Sequence, residues 1–183
     1  MQLGTLTWQP VLDHLDLVAE PVRRGIQDWA ARDEQAADQV LIAPVEEDLA
    51  DTAALTEAYD LPPEASVNCV VVAGKREGVE HIAAVLVRAT TRADVNRAIR
   101  KHLNVRKASF LSMDRAVAET DMAYGGITPL GLPAGYRLLL DDRVVAGPAV
   151  IGSGTRTSKI LLPGELLAQL PAAEVLEQLA LPA

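Results

Sequence analysis

Two β-branched runs, residues 66–73 and 81–89, constrain this chain more than any other feature. Between them lies Gly74-Lys75-Arg76-Glu77-Gly78, polar and bounded by glycine. Branched side chains favour the pleated strand, and the glycines let the chain reverse, so the segment is expected to form an antiparallel hairpin with a longer loop. Shorter strand-like runs occur at 39–43, 108–111, 136–140, 149–152 and 159–162. Helical spacing of Val22, Ile26 and Trp29 after Pro21 predicts a helix over about 20–32. Asp51 is placed to cap a helix running to Tyr59, and Thr91 or Asp94 to open one reaching Leu103. Ser112 is placed to cap a short helix ending near Glu119, and two short helices split by Pro171 are expected at the C-terminus. Helices and hairpins alternate without a clean βαβ rhythm, which predicts an α+β domain with a mixed sheet.

With 183 residues the chain has the length of one ordinary domain. Aromatic residues make up only 3% of it, so the core has to come from Val, Leu, Ile and Ala. Cys69 is the only cysteine and cannot pair within the chain, which fits a reducing compartment. No apolar run approaches the roughly 18 residues of a membrane span. The N-terminus lacks a basic stretch followed by an apolar one, so a cytoplasmic location without membrane attachment is expected.

A net charge of −8 argues against a general nucleic-acid binder, but the charge is unevenly spread. Residues 28–64 hold eleven acids against Arg32 alone. Residues 88–107 reverse the balance, with Arg88, Arg92, Arg97, Arg100, Lys101, Arg106 and Lys107 against Asp94. Such a patch can take a phosphate backbone, although a solvated helix face has the same composition. His14, His81 and His102 have no ligand spacing around them, so no metal site or cofactor is expected. Gly152-Ser153-Gly154 comes nearest to a nucleophile elbow but reads more simply as a turn between strands. Cys69 lies mid-strand among apolar neighbours and reads as a small buried hydrophobe.

The segment Tyr124-Gly125-Gly126-Ile127-Thr128-Pro129-Leu130-Gly131 stands apart. Adjacent glycines permit an unusual backbone path and close approach of a ligand, and proline stiffens the exit. Successive free amides in such a loop can hold a carbonyl or oxyanion, although a tight helix-to-strand connection accounts for the same residues.

Gly125-x-x-x-Pro129 resembles the corresponding loop of the YbaK/ProX family, freestanding relatives of the prolyl-tRNA synthetase editing domain. The likeness continues through the Asp51-Thr52-Ala53-Ala54 helix start, the strand around 67–72, the helix and strand of 94–111, and Gly152-Ser153-Gly154 before Lys159-Ile160. It implies a barrel-like editing core over about 50–170, preceded by an extension of about 45 residues within a single domain. It further implies hydrolysis of the ester between a wrong amino acid and the tRNA 3′-adenosine. The amides of Gly125 and Gly126 would hold the substrate carbonyl, with a ribose hydroxyl helping to activate water.

On this resemblance Thr52, Ile127, Thr128, Pro129, Gly131, Gly152 and Gly154 are expected to line the substrate site. Arg97, Arg100, Lys101, Arg106 and Lys107 are expected to meet the acceptor end of an aminoacyl-tRNA, and an aminoacyl-tRNA synthetase is a possible further partner. The family carries a functional lysine where this chain has Asn68. Lys75 is a candidate substitute, but seven residues along an extended strand is roughly 23 Å, and the odd offset turns it to the other face. A deacylase, a non-catalytic aminoacyl-tRNA binder and an unrelated small-molecule pocket therefore all remain open.

Overall fold

A computed structural model describes residues 2–183. Along the chain, β1 (Gln9–Pro10) precedes α1 (Glu20–Arg32), α2 (Glu34–Ala37), β2 (Leu41–Pro44) and α3 (Thr52–Ala58). The hairpin follows as β3 (Val67–Arg76) and β4 (Val79–Arg88), then β5 (Thr91–Ala93). Next, a turn of wide helix at Val95–Ile99 runs into α4 (Arg100–His102), followed by β6 (Ala108–Phe110) and α5 (Met113–Thr120). The last part holds β7 (Arg137–Asp141), β8 (Pro148–Gly152), β9 (Ser158–Pro163), α6 (Gly164–Leu167), β10 (Ala173–Leu176) and β11 (Ala180–Pro182).

Two main sheets are stacked. One has the order β1-β2-β9-β8 and the other β10-β7-β4-β3-β6, while β11 and β5 form a small ribbon. The five-stranded sheet is mixed, because β7 runs parallel to both β4 and β10. Alternation along the strands distributes the side chains between three cores. Ala84, Leu86, Leu138 and Leu140 join Ile42, Ile151, Ile160 and α1 in the central one. Ala83, Val85 and Leu139 face away to meet Val95, Ile99 and Leu103. Ala43, Val150 and Leu161 back onto Leu55 of α3.

Helix α1 occupies the predicted span, with Pro21 in its first turn and Val22, Ile26 and Trp29 buried. The N-terminal residues thus belong to the central core, and β1 is hydrogen-bonded to β2. The hairpin is longer than expected. Its ladder continues to Arg76↔Val79, and only Glu77 and Gly78 turn the corner, both at positive φ. That is the two-residue reversal whose twist matches the strands, so Lys75 and Arg76 are strand residues rather than loop.

The C-terminus departs most from expectation. Only α6 is helical, and the residues after Pro171 form β10 and β11. Ala, Leu and Glu favour helix locally, but pairing with β7 and β5 overrides that preference. No helix of the described residues is long and apolar enough to cross a membrane.

Candidate active site

Strands β3 and β8 belong to different sheets and touch at one parallel bridge, Ser66↔Val150. Beyond it they run unpaired to one another, and β3 gains its second neighbour, β6, only from Val72. A cavity of about 290 Å³ opens between them. Residues 67–71 of β3 and 150–152 of β8 form its walls. The first turn of α3 and the loop at Tyr124, Gly125 and Ile127 complete it. This volume lies at the lower end of ligand pockets, suited to a small group rather than a whole nucleotide.

Five of the sequence-predicted residues converge here: Thr52, Asn68, Gly125, Ile127 and Gly152. The Thr52 hydroxyl donates to Asn68 Oδ1 at 3.1 Å, and the Asn68 amide hydrogens have no partner among the described residues. Asp51 does not cap α3 through its side chain, as the sequence suggested. Its carboxylate instead accepts from Arg156 Nη1 at 3.0 Å, and that guanidinium holds Asp51 below the usual carboxylate range. Arg156 also donates to the Glu47 carbonyl at 3.2 Å, next to Gly125.

The other predicted residues lie elsewhere. Gly126 does not line the cavity, and its amide is spent on the Ala123 carbonyl at 2.9 Å. A Cβ on Gly126 would sit 2.4 Å from the Thr155 carbonyl oxygen, so the glycine permits close backbone approach. Gly154 packs against Ala19 and Val22 of the N-terminal segment. Thr128 is fully buried with an unpartnered hydroxyl. Pro129 and Gly131 border a second hollow of about 640 Å³ against α1, where a Cβ on Gly131 would collide with the Pro21 carbonyl. Lys75 is exposed near the hairpin tip, opposite Glu80. The β3–β4 ladder is unbroken from Val67 to Arg76, so no bulge returns Lys75 to the side of Asn68.

Sequence reasoning missed Lys159. It sits on β9 between Gly152 and Ala43 in the ladder, is 7% exposed, and lines the cavity. Burial, reinforced by the nearby Arg156, lowers its ammonium to about 8, with Asp51 pulling the other way. The signal was a lysine opening the otherwise apolar run Ile160-Leu161-Leu162. Ser66 was missed as well; it lines the cavity with a buried hydroxyl that has no partner. Cys69 also borders it, its thiol pushed up to about 12 by burial and so not a thiolate at neutral pH. Ser153 is fully buried and tied to Ser158 at 2.7 Å, outside the cavity.

The basic stretch divides. Arg88 is buried and donates to the carbonyls of Ala65, Arg143, Val144, Ala146 and Pro148. Arg97, Arg100, Lys101, Arg106 and Lys107 are exposed. Asp94 rather than Thr91 opens their helix, accepting from the Arg97 amide at 3.2 Å. Strand β6 leads from Lys107 to Phe110, which is 58% exposed on the cavity rim. Three residues of strand put the end of the basic surface about 10 Å from that rim.

An antiparallel and a mixed sheet, stacked with a small cavity beside the bridge between them, define an α+β protein, and its likeness to known proteins places it further. The sequence model of the aminoacyl-tRNA editing domain matches residues 46–170. The chain belongs to that family. No curated protein matches it. Among solved structures, the hypothetical protein APE2540 superimposes with a TM-score of 0.73 at 14% identity, over 86% of this chain and 99% of that one. A protein proposed as a trans-editing enzyme for prolyl-tRNA synthetase superimposes with a TM-score of 0.69 at 16% identity, over 87% and 97%. At such identities the likeness concerns the fold.

Proposed function

We propose that the chain is a trans-editing aminoacyl-tRNA deacylase, hydrolysing the ester that joins a non-cognate amino acid to the tRNA 3′-adenosine. The supporting observation is the small cavity where the Gly125 loop, the Asn68 amide and the Lys159 ammonium meet, within a chain of the editing-domain family. Water attacks the carbonyl carbon, the ester C–O bond breaks, and the ribose oxygen leaves and takes up a proton. The products are a free amino acid and an uncharged tRNA.

None of the cavity's side chains is suited to be a general base. Asp51 is held by Arg156, Cys69 stays a thiol, and Lys159 is largely protonated at pH 7. The protein's contribution in this reading is to hold the carbonyl and stabilise the oxyanion, with a ribose hydroxyl of the substrate assisting the water. The partner is the acceptor end of an aminoacyl-tRNA, with the exposed basic face around Arg97 and Arg100 as its phosphate contact. The family resemblance points to alanine or cysteine on proline tRNA, and a cavity of about 290 Å³ has room for either side chain. A synthetase would be the source of the mischarged substrate.

Deacylation of a panel of mischarged tRNAs tests this reading. Release of amino acid above the buffer rate at micromolar protein is expected, and no release from any member overturns it. A second reading, a non-catalytic aminoacyl-tRNA binder, rests on Asn68 standing where the family has lysine. Tight, salt-dependent tRNA binding without turnover would favour it.

A further inference from the structure

An ammonium removed from water is costly unless an anion or acceptors replace its hydration. Arg88 illustrates the satisfied case, with five carbonyls around one buried guanidinium. Lys159 is nearly as buried, yet its ammonium makes no hydrogen bond and no ion pair with any described residue. Asp51, the acid that acts on its charge, is engaged by Arg156 at 3.0 Å. The space in front of Lys159 is the cavity itself, shared with the Asn68 amide. The arrangement leaves two donors at one void without an acceptor among the described residues. A ligand oxygen carrying negative charge fits them.

We infer that Lys159 is the catalytic cation of this site, supplying from the four-stranded sheet the positive charge that Asn68 cannot supply from the five-stranded one. The inference rests on the deacylase reading. As water adds to the ester carbon, the carbonyl oxygen gains charge and the Lys159 ammonium meets it, with the Asn68 amide as second donor. When the C–O bond to the ribose breaks, the oxyanion's electron pair re-forms the carbonyl and the charge leaves with the ribose oxygen. That oxygen takes up the proton given up by the attacking water, and the lysine keeps its own proton throughout. An ammonium near 8 is charged at neutral pH but held by little else, so it is free to follow the oxyanion.

The test compares Lys159→Met, Lys159→Arg and the double variant Asn68→Lys/Lys159→Met with the wild type. Losing one oxyanion donor costs about 100- to 1,000-fold in turnover. Lys159→Met is expected to lose kcat on that scale while its tRNA Kd stays within about threefold. Its Tm should rise, because an unpaired buried charge has been removed; a merely structural lysine would lower Tm instead. Lys159→Arg should keep part of the activity, and the double variant should recover part of what Lys159→Met loses. Unchanged kcat in Lys159→Met, or a change in KM alone, overturns the inference while leaving the deacylase reading intact. If the wild type turns over no substrate, that reading fails. Binding of an adenosine esterified at O3′ with an α-aminophosphonate, whose charged oxygen stands where the oxyanion would, then decides whether Lys159 meets that charge: a tenfold weaker Kd in Lys159→Met supports it, and an equal Kd or no wild-type binding overturns it.

Discussion

The carbonyl of Gly126 accepts a hydrogen bond from the amide of Gly154 at 2.8 Å, and the Gly154 carbonyl accepts from Ala123 at the same distance. Two glycine motifs well separated in sequence are thereby one structure. A Cβ on Gly152 would lie 2.3 Å from the Gly126 oxygen, so an approach this close needs glycine on both sides. Gly126 therefore serves the cavity indirectly: it anchors the loop so that Gly125 and Ile127 form the wall.

Gly126→Ala should therefore act on stability as well as on turnover. The new methyl group meets backbone atoms of Thr155, which cannot swing aside. Overpacking of this kind costs about 1–3 kcal/mol. Urea unfolding should show the loss, and turnover should fall further than tRNA affinity does. A variant as stable as the wild type would contradict the packing argument, and equal loss of turnover and affinity would contradict the division of roles.

Arg88→Met is expected to destabilise by about 3–5 kcal/mol, since it strips five carbonyls of their shared donor. Those carbonyls connect the end of β4 to the segment joining β7 and β8, so loosening should spread to the cavity wall at Val150. Denaturant titration measures the cost. A loss under about 1 kcal/mol would show that the network is dispensable.

Charge reversal at Arg97 and Arg100 should leave stability within about 0.5 kcal/mol, because both side chains are exposed. If they meet phosphates, tRNA affinity should drop and its salt dependence flatten, the log–log slope shrinking by about 0.7–0.9 for each phosphate no longer neutralised. Binding measured across a salt series would read this directly, and identical slopes would remove this face from the interface.

The pH dependence of stability has a defined sign at each end. Lys159 is lowered in the fold to about 8, against about 10.4 for a free lysine, so the unfolded chain binds more protons between those values. Wild-type stability should gain on Lys159→Met as pH rises from about 8 to about 10. At the acid end, burial works to raise the inaccessible Asp141 carboxyl, but Arg143 and the Ala180 amide outweigh it and hold it low. Its contribution is present above about 4 and is lost as pH falls through the depressed value. Asp141→Asn should flatten that acid limb, and an unchanged midpoint of acid unfolding would count against it.

Much of the fold was legible where neighbours in sequence decide the conformation. Pro21 with Val22, Ile26 and Trp29 marked α1, and the β-branched runs marked β3 and β4. The polar pair Lys75-Arg76 looked like loop because its side chains face water, yet its backbone is fully paired. Residues 173–182 misled for the converse reason: their side chains suit a helix, while open edges on β7 and β5 made strands. In the Gly125–Gly131 segment, the sequence marked an unusual path correctly but could not divide it. Gly125 and Ile127 wall the cavity, and Pro129 and Gly131 turn toward α1.

By itself, then, the sequence determined which segments could bend, which would extend, and that the Gly125–Gly131 segment would take an unusual path. Each of those properties is local, set by steric freedom at single residues. Only the tertiary structure decided that Asn68, Gly125 and Lys159 share one void and that Lys75 does not. The cavity exists because two sheets meet at a single bridge, Ser66 to Val150. The charge in it comes from a strand 91 positions beyond Asn68, a proximity that long-range strand pairing creates and no local pattern encodes.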